Sequence, residues 1–153
     1  MEDEGGGGAG TKPIWLKPSQ TTVEKSDTAK QDRTILVVED EQIVREYVLH
    51  LLEKFGYRVL LAEDGIRGLE VFRENILAVD LVLADLALPR KSGSKMVEEM
   101  REIKPNIRVL YMTAHADDCF EYPVGTDLRE IIPKPSGFPK EFLERVKFEL
   151  ERK

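Results

Sequence analysis

Asp80-Leu81-Val82-Leu83-Ala84-Asp85-Leu86-Ala87-Leu88-Pro89, with Gly93 four residues beyond the proline, is the stretch that decides the fold. Its apolar centre lacks the polar alternation of a half-solvated strand. That pattern suits a strand of a parallel sheet, covered on both faces. The strand carries a carboxylate, Asp85, to its C-terminal tip. In an open parallel α/β sheet that tip lies on the edge where ligands bind, so a nucleophile or metal ligand is better placed there than elsewhere.

Three further apolar runs end in related chemistry. Ile35-Leu36-Val37-Val38 runs into Glu39-Asp40-Glu41, Val109-Leu110-Tyr111-Met112 into Thr113-Ala114, and Glu130-Ile131-Ile132-Pro133 into Lys134-Pro135. An acidic pair, a lone aspartate, a hydroxyl and a lysine thus follow one another at successive strand ends. Helical patterns fill the intervals. Residues 41–55 place Ile43, Val44, Tyr47, Val48, Leu51 and Leu52 on one stripe, closed by Gly56. Asp64-Gly65 opens a helix through Leu69, Val71 and Phe72; residues 93–104 form another, ended by Pro105; residues 138–152 form the last. Strands are expected at 35–38, 57–61, 80–84, 107–112 and 129–133. Such βα repetition with short, right-handed connections predicts an α/β fold, a three-layer α/β/α sandwich with a five-stranded parallel sheet of order 2-1-3-4-5, of flavodoxin-like type.

Composition agrees with one such domain. The chain has 153 residues, 41% hydrophobic and 34% charged, enough for a single core. A formal charge of -6 argues against direct binding to nucleic acid. Neither a signal peptide nor an apolar span of membrane length is present, so a cytoplasmic protein without direct membrane contact is expected. Cys119 is the only cysteine, which excludes an intrachain disulfide and fits a reducing compartment. Residues 1–32, with Gly5 to Gly8, Pro13, Pro18 and several Ser and Thr, read as a flexible leader or linker, and residues 33–153 as the folded domain. Trp15, in the leader, and His50, on a helix among apolar neighbours, read as structural residues.

The strand-end groups form a phosphoryl-transfer set. Transfer to a carboxylate brings anions together, so positioned cations are the main requirement. Asp40 and Asp85, with Glu39 through water, offer the hard oxygens that Mg²⁺ prefers. Asp85 can act as the nucleophile, Lys134 as a compact cation for the phosphoryl oxygens, and Thr113 as a hydroxyl donor. Taken singly, each residue has a plainer reading: the acids can cap a helix, and Lys134-Pro135 can simply leave a strand.

Taken in order, and with the spacing Asp85, Pro89, Gly93, they resemble the receiver domain of two-component response regulators from about Arg33 to the C-terminus. The resemblance implies an aspartyl phosphate at Asp85, formed from phosphohistidine on a sensor histidine kinase or a histidine phosphotransfer protein. It implies Mg²⁺ held by Glu39, Asp40, Asp85 and the backbone carbonyl of Ala87, with Thr113 and Lys134 contacting the phosphoryl group. The implied protein is a signalling switch with self-catalysed chemistry rather than a metabolic enzyme, and this isolated chain is expected to be a monomer. Ala87 and His115 stand where the family tunes dephosphorylation. Two other readings share parts of this pattern. A haloacid-dehalogenase-like phosphatase would use Asp40, but Gln42 replaces its second acid; a flavodoxin-like cofactor module would find its phosphate repelled by Glu39, Asp40 and Glu41.

Two departures from the family concern readout, and one further resemblance concerns context. Pro123 and Gly125 fall where the family has its fourth helix, predicting a short or unwound one. Ile131 stands where many receivers carry a switching aromatic. Gly8-Ala9-Gly10-Thr11 through Ile14-Trp15-Leu16 resembles the closing strand of a histidine-kinase ATP-binding domain, which would make this the C-terminal receiver of a hybrid sensor kinase.

Overall fold

A computed structural model describes residues 32–114, 127–136 and 139–152. Residues 1–31, with Trp15, and the segment holding His115, Cys119, Pro123 and Gly125 lie outside the described residues. In chain order the elements are β1 (Thr34–Val38), α1 (Gln42–Lys54), β2 (Arg58–Ala62), α2 (Gly65–Glu74), β3 (Val79–Asp85), α3 (Gly93–Ile103), β4 (Arg108–Thr113), a 3₁₀ turn (Leu128–Glu130), β5 (Ile131–Pro133) and α4 (Lys140–Glu151).

All strand pairs are parallel, and the sheet order is β2-β1-β3-β4-β5, as the alternating pattern predicts. All five residues of β1, an interior strand between β2 and β3, are buried. Its alternate side chains feed two cores. Leu36 and Val38 pack with Leu69 and Phe72 of α2 and Met96, Val97 and Met100 of α3. Ile35 and Val37 pack with Val48 and Leu52 of α1 and Phe142, Val146 and Leu150 of α4. A fully buried Leu or Phe is worth about 1.5–3 kcal/mol over exposure, so these two layers carry the fold.

Local signals explain the helix ends. Gly56, with φ 94°, follows the C-cap Phe55 of α1. Asp64 caps α2 by accepting the Arg67 N–H, and Ser92 caps α3 by accepting that of Lys95. Three expectations need correction. The α1 stripe is narrower than its periodicity suggests: Val48 and Leu52 are buried, whereas Ile43 is 83% exposed and Tyr47 38%. His50 is exposed too, not enclosed by apolar neighbours. Arg129 and Glu130 belong to the 3₁₀ turn, closed by the Glu130 N–H on the Asp127 carbonyl, so β5 is only three residues long.

The parallel register then builds the site. Val38 pairs with Ala84, Asp85 with Met112, and Thr113 with Pro133. Residues just past β1 and β5 therefore meet the last residues of β3 and β4 at one edge.

Candidate functional site

Glu39 is the first residue beyond β1. Its N–H donates to the Ala62 carbonyl at 3.0 Å, prolonging the ladder by one step. That step buries the side chain completely. Glu39 Oε2 accepts the Glu41 N–H at 3.1 Å and Lys134 Nζ at 3.3 Å. Oε1 lies 3.1 Å from Lys134 Nζ but out of hydrogen-bond alignment, and is left without a hydrogen-bond donor among the described residues. Asp85, 4% exposed, is better satisfied: Oδ1 accepts the Ala87 N–H at 2.9 Å and Oδ2 accepts Lys134 Nζ at 3.1 Å. Asp40 is exposed beside them.

Glu39, Asp40 and Asp85 bring carboxylate oxygens within 4.8 Å of one another. Lys134 is the cation among them, and Glu41 also comes to 3.6 Å of its ammonium. Burial pushes the Glu39 carboxyl up from 4.5 to about 7, and the Asp85 charge adds to this against the Glu41 N–H and Lys134. Burial also works against the Lys134 ammonium, but the hydrogen bond and charge of Asp85, then those of Glu39, hold it above its usual range. One lysine facing three carboxylates leaves negative charge uncompensated. A buried carboxylate oxygen without a donor, next to two more acids, is a donor set that fits a small hard divalent cation.

The surrounding backbone holds these groups in place. A Cβ on Gly93 would lie 2.4 Å from the Asp85 carbonyl oxygen, so the start of α3 can abut the end of β3 only with glycine there. This accounts for the Asp85-to-Gly93 spacing. The Leu86 N–H donates to the Met112 carbonyl at 3.2 Å, and the Lys134 N–H to the Thr113 carbonyl at 2.9 Å. Thr113 is buried at the tip of β4, and Ala87 is exposed on the loop after β3. Glu39, Asp40, Asp85 and Lys134 are thus brought together, with Thr113 and Ala87 on the segments that border them.

Two participants escaped sequence reading. Arg45 of α1 donates to the carbonyls of Glu39 (2.8 Å) and Asp40 (3.3 Å), holding the acidic turn by its backbone. A cation one helical turn after an acidic run is the only signal it offered. Arg90, in the loop after Asp85, pairs with Asp64 at 3.2 Å, a contact across 26 residues that no periodicity announces.

Comparison with known proteins agrees with this geometry. Residues 35–147 match the family model of the response regulator receiver domain. Sensor kinase CckA of Brucella abortus is 32% identical over 131 residues, covering 85% of this chain and 14% of that protein. Response regulator receiver protein Anae109_2439 of an Anaeromyxobacter species is 32% identical over 71% of this chain and 45% of its own length. The chain therefore spans less than half the length of either relative. Among solved structures, the receiver domain of the hybrid histidine kinase CckA superimposes with a TM-score of 0.64 at 31% identity, over 77% of this chain and 99% of that one. The non-phosphorylated HemR receiver domain of Leptospira biflexa gives 0.65 at 32% identity, over 79% and 96%.

Proposed function

The chain belongs to the response regulator receiver family, and on that premise we propose that Asp85 accepts a phosphoryl group from a phosphohistidine and that the domain switches conformation in response. The observation that carries this reading is the buried Asp85 carboxylate held by Lys134 Nζ at 3.1 Å, with Glu39 and Asp40 alongside. Oδ1 is oriented by the Ala87 N–H, which leaves the carboxylate fixed for in-line attack as the P–N bond of the donor breaks. Lys134 follows the charge onto the phosphoryl oxygens, and Thr113 supplies a hydroxyl from the end of β4. Glu39, Asp40, Asp85 and the Ala87 carbonyl would hold Mg²⁺, which when bound neutralises charge on the transferred group.

The same site would catalyse its own dephosphorylation, with the small side chain of Ala87 leaving room for water. A sensor histidine kinase or histidine phosphotransfer protein is the partner of this chemistry. Its setting would be cytoplasmic; among the described residues no helix is long and apolar enough to cross a membrane. Residues 33–153 would form the receiver and 1–32 its leader, either joined to a kinase core or preceding a free-standing regulator. The phosphatase and cofactor-module readings find no support: Asp40 is exposed while Asp85 is buried and lysine-paired, and the acids of the first loop crowd the position a cofactor phosphate would need.

Incubation with a small acyl phosphate and Mg²⁺, followed by intact mass, tests the proposal. The protein should gain one phosphoryl group, and Asp85→Ala should abolish it. Undiminished labelling of Asp85→Ala would move the nucleophile to another residue, with Asp40 the first to examine.

A further inference from the structure

We infer that Asp64 and Arg90 act together as positioning residues for the loop between Asp85 and Gly93, an inference that rests on Asp85 being the phosphoacceptor. Among the described residues Arg90 is the only non-glycine with positive φ, at 68°. The turn around it is tight. The Lys91 N–H reaches back to the Pro89 carbonyl at 2.7 Å, a γ-turn centred on Arg90. A side chain on Cβ disfavours this backbone, and glycine would adopt it at no steric cost. What arginine adds is its guanidinium, which reaches Asp64 Oδ2 at 3.2 Å.

Asp64 is well suited to hold it. Its side chain is 8% exposed, and its other oxygen, Oδ1, already accepts the Arg67 N–H at 2.8 Å as the cap of α2. The anchor is therefore itself fixed by a helix. Next to it, a Cβ on Gly65 would lie 2.1 Å from the Lys91 carbonyl oxygen, so the loop backbone rests directly on the first turn of α2. The loop's two ends meet where Gly93 abuts the Asp85 carbonyl. Between these two supports lies Ala87, whose N–H orients Asp85 and whose carbonyl is the proposed metal ligand. A strained residue persists only where its surroundings over-determine it, and such positions concentrate where geometry matters to function. Here the strain lies midway along the loop that must present both an acceptor oxygen and a carbonyl.

The competing reading makes Asp64 a helix cap alone and Arg90, 61% exposed, an idle surface charge. Asp64→Asn separates the two, because asparagine caps as well as aspartate but lacks the charge. Arg90→Gly removes the guanidinium while relieving the backbone, so unfolding is not the expected result. Arg90→Lys keeps a cation. Mg²⁺ affinity by calorimetry, the rate of Asp85 labelling by a small acyl phosphate, and the urea midpoint should be measured on the whole chain. Asp64→Asn and Arg90→Gly should each weaken Mg²⁺ binding and slow labelling by about three- to tenfold, below the usual effect of partners behind a metal ligand because the pair is open on one side. The double variant should lose no more than either single one, Arg90→Lys should recover most of the loss, and the urea midpoint should not track it. Affinity and rate equal to wild type in both single variants would overturn the inference while leaving Asp85 as acceptor. Losses that multiply in the double variant, or that follow the urea midpoint, would overturn it as well. A wild-type protein that takes no phosphoryl group at Asp85 would remove the proposed function and this inference together.

Discussion

The two edges of the sheet treat charge in opposite ways. At the edge where β1 and β4 begin, cations meet backbone carbonyls. Arg33 Nη1 donates to the Leu150 carbonyl at 2.7 Å, Arg108 Nη1 to those of Glu149 and Leu150 at 2.6 and 2.8 Å, and Lys104 Nζ to those of Ile76 and Val79 at 2.9 and 2.8 Å. Asp80, passed over in the register between β1 and β3, turns its carboxylate to the Thr34 N–H at 2.9 Å. Buried Glu149 takes Arg152 at 2.6 Å. The arginines sit at the C-terminus of α4, where the helix dipole favours cations and the last carbonyls need donors. At the opposite edge, carboxylates meet carboxylates, and a buried Glu39 oxygen has no donor among the described residues. One edge closes its hydrogen-bond accounts and the other keeps them open, which separates the groups that hold the fold from those proposed to take up an ion and a phosphoryl group.

The sharpest way to break this comparison is to disturb the satisfied edge. Arg108→Ala removes a charged donor shared by two helix-end carbonyls and should cost about 2 kcal/mol, the usual scale for a hydrogen bond involving a charged group. Urea unfolding reads the loss directly. Mg²⁺ affinity and Asp85 labelling of the folded fraction should stay at wild-type values. If either fell along with stability, the two edges would be coupled and the division would fail.

The same contrast explains what could be read from the chain and what could not. Strand identity and order were legible, because continuous apolar runs such as Ile35 to Val38 and Leu81 to Ala84 mark strands covered on both faces, and right-handed crossovers leave few ways to order them. Residues beside strand ends were legible for the same reason: a parallel register brings Glu39, Asp85 and Lys134 to one edge automatically. Contacts that depend on where one surface stops were not. Helical periodicity gathers Ile43 and Val48 into one broad stripe, but they stand about 140° apart around the helix, and the pattern cannot say which margin of the stripe faces the sheet; Ile43 is left 83% exposed. Nor does any pattern link Arg90 to Asp64 or Arg108 to the end of α4, since a charged residue carries no periodic trace of its partner.

A smaller effect sharpens the open edge. With the Glu39 carboxyl raised to about 7 by burial, a cation binding there must displace a proton at lower pH. Mg²⁺ affinity should therefore fall with pH below about 7, by at most tenfold per pH unit, or about 1.4 kcal/mol, and level off above it. Calorimetry in buffers of different ionisation enthalpy should detect the released proton. An affinity flat from pH 8 to pH 6 would show that Glu39 does not face the ion.

The smallest expected effect has the opposite sign to that of Arg108→Ala. Glu39 gains a proton more easily folded than unfolded, so between 4.5 and about 7 the native state binds more protons, and this group's contribution to stability falls as pH rises through that window. Above about 7 the metal-free protein carries the full penalty of a buried, ionised carboxylate. Glu39→Gln keeps the shape and the acceptor for the Glu41 N–H while removing the charge. It forfeits attraction to Lys134, but Asp85 is the larger support of that ammonium. The balance should be a gain on the order of 1 kcal/mol at pH 8 without Mg²⁺, shrinking as pH falls towards 4.5. The variant should at the same time bind Mg²⁺ more weakly and lose the pH dependence of that binding. Urea midpoints at pH 8 and pH 5, with and without Mg²⁺, distinguish the outcomes. A variant less stable than wild type at pH 8 without the ion would mean that the Glu39 charge is already compensated, and that the two edges differ less than their hydrogen bonds imply.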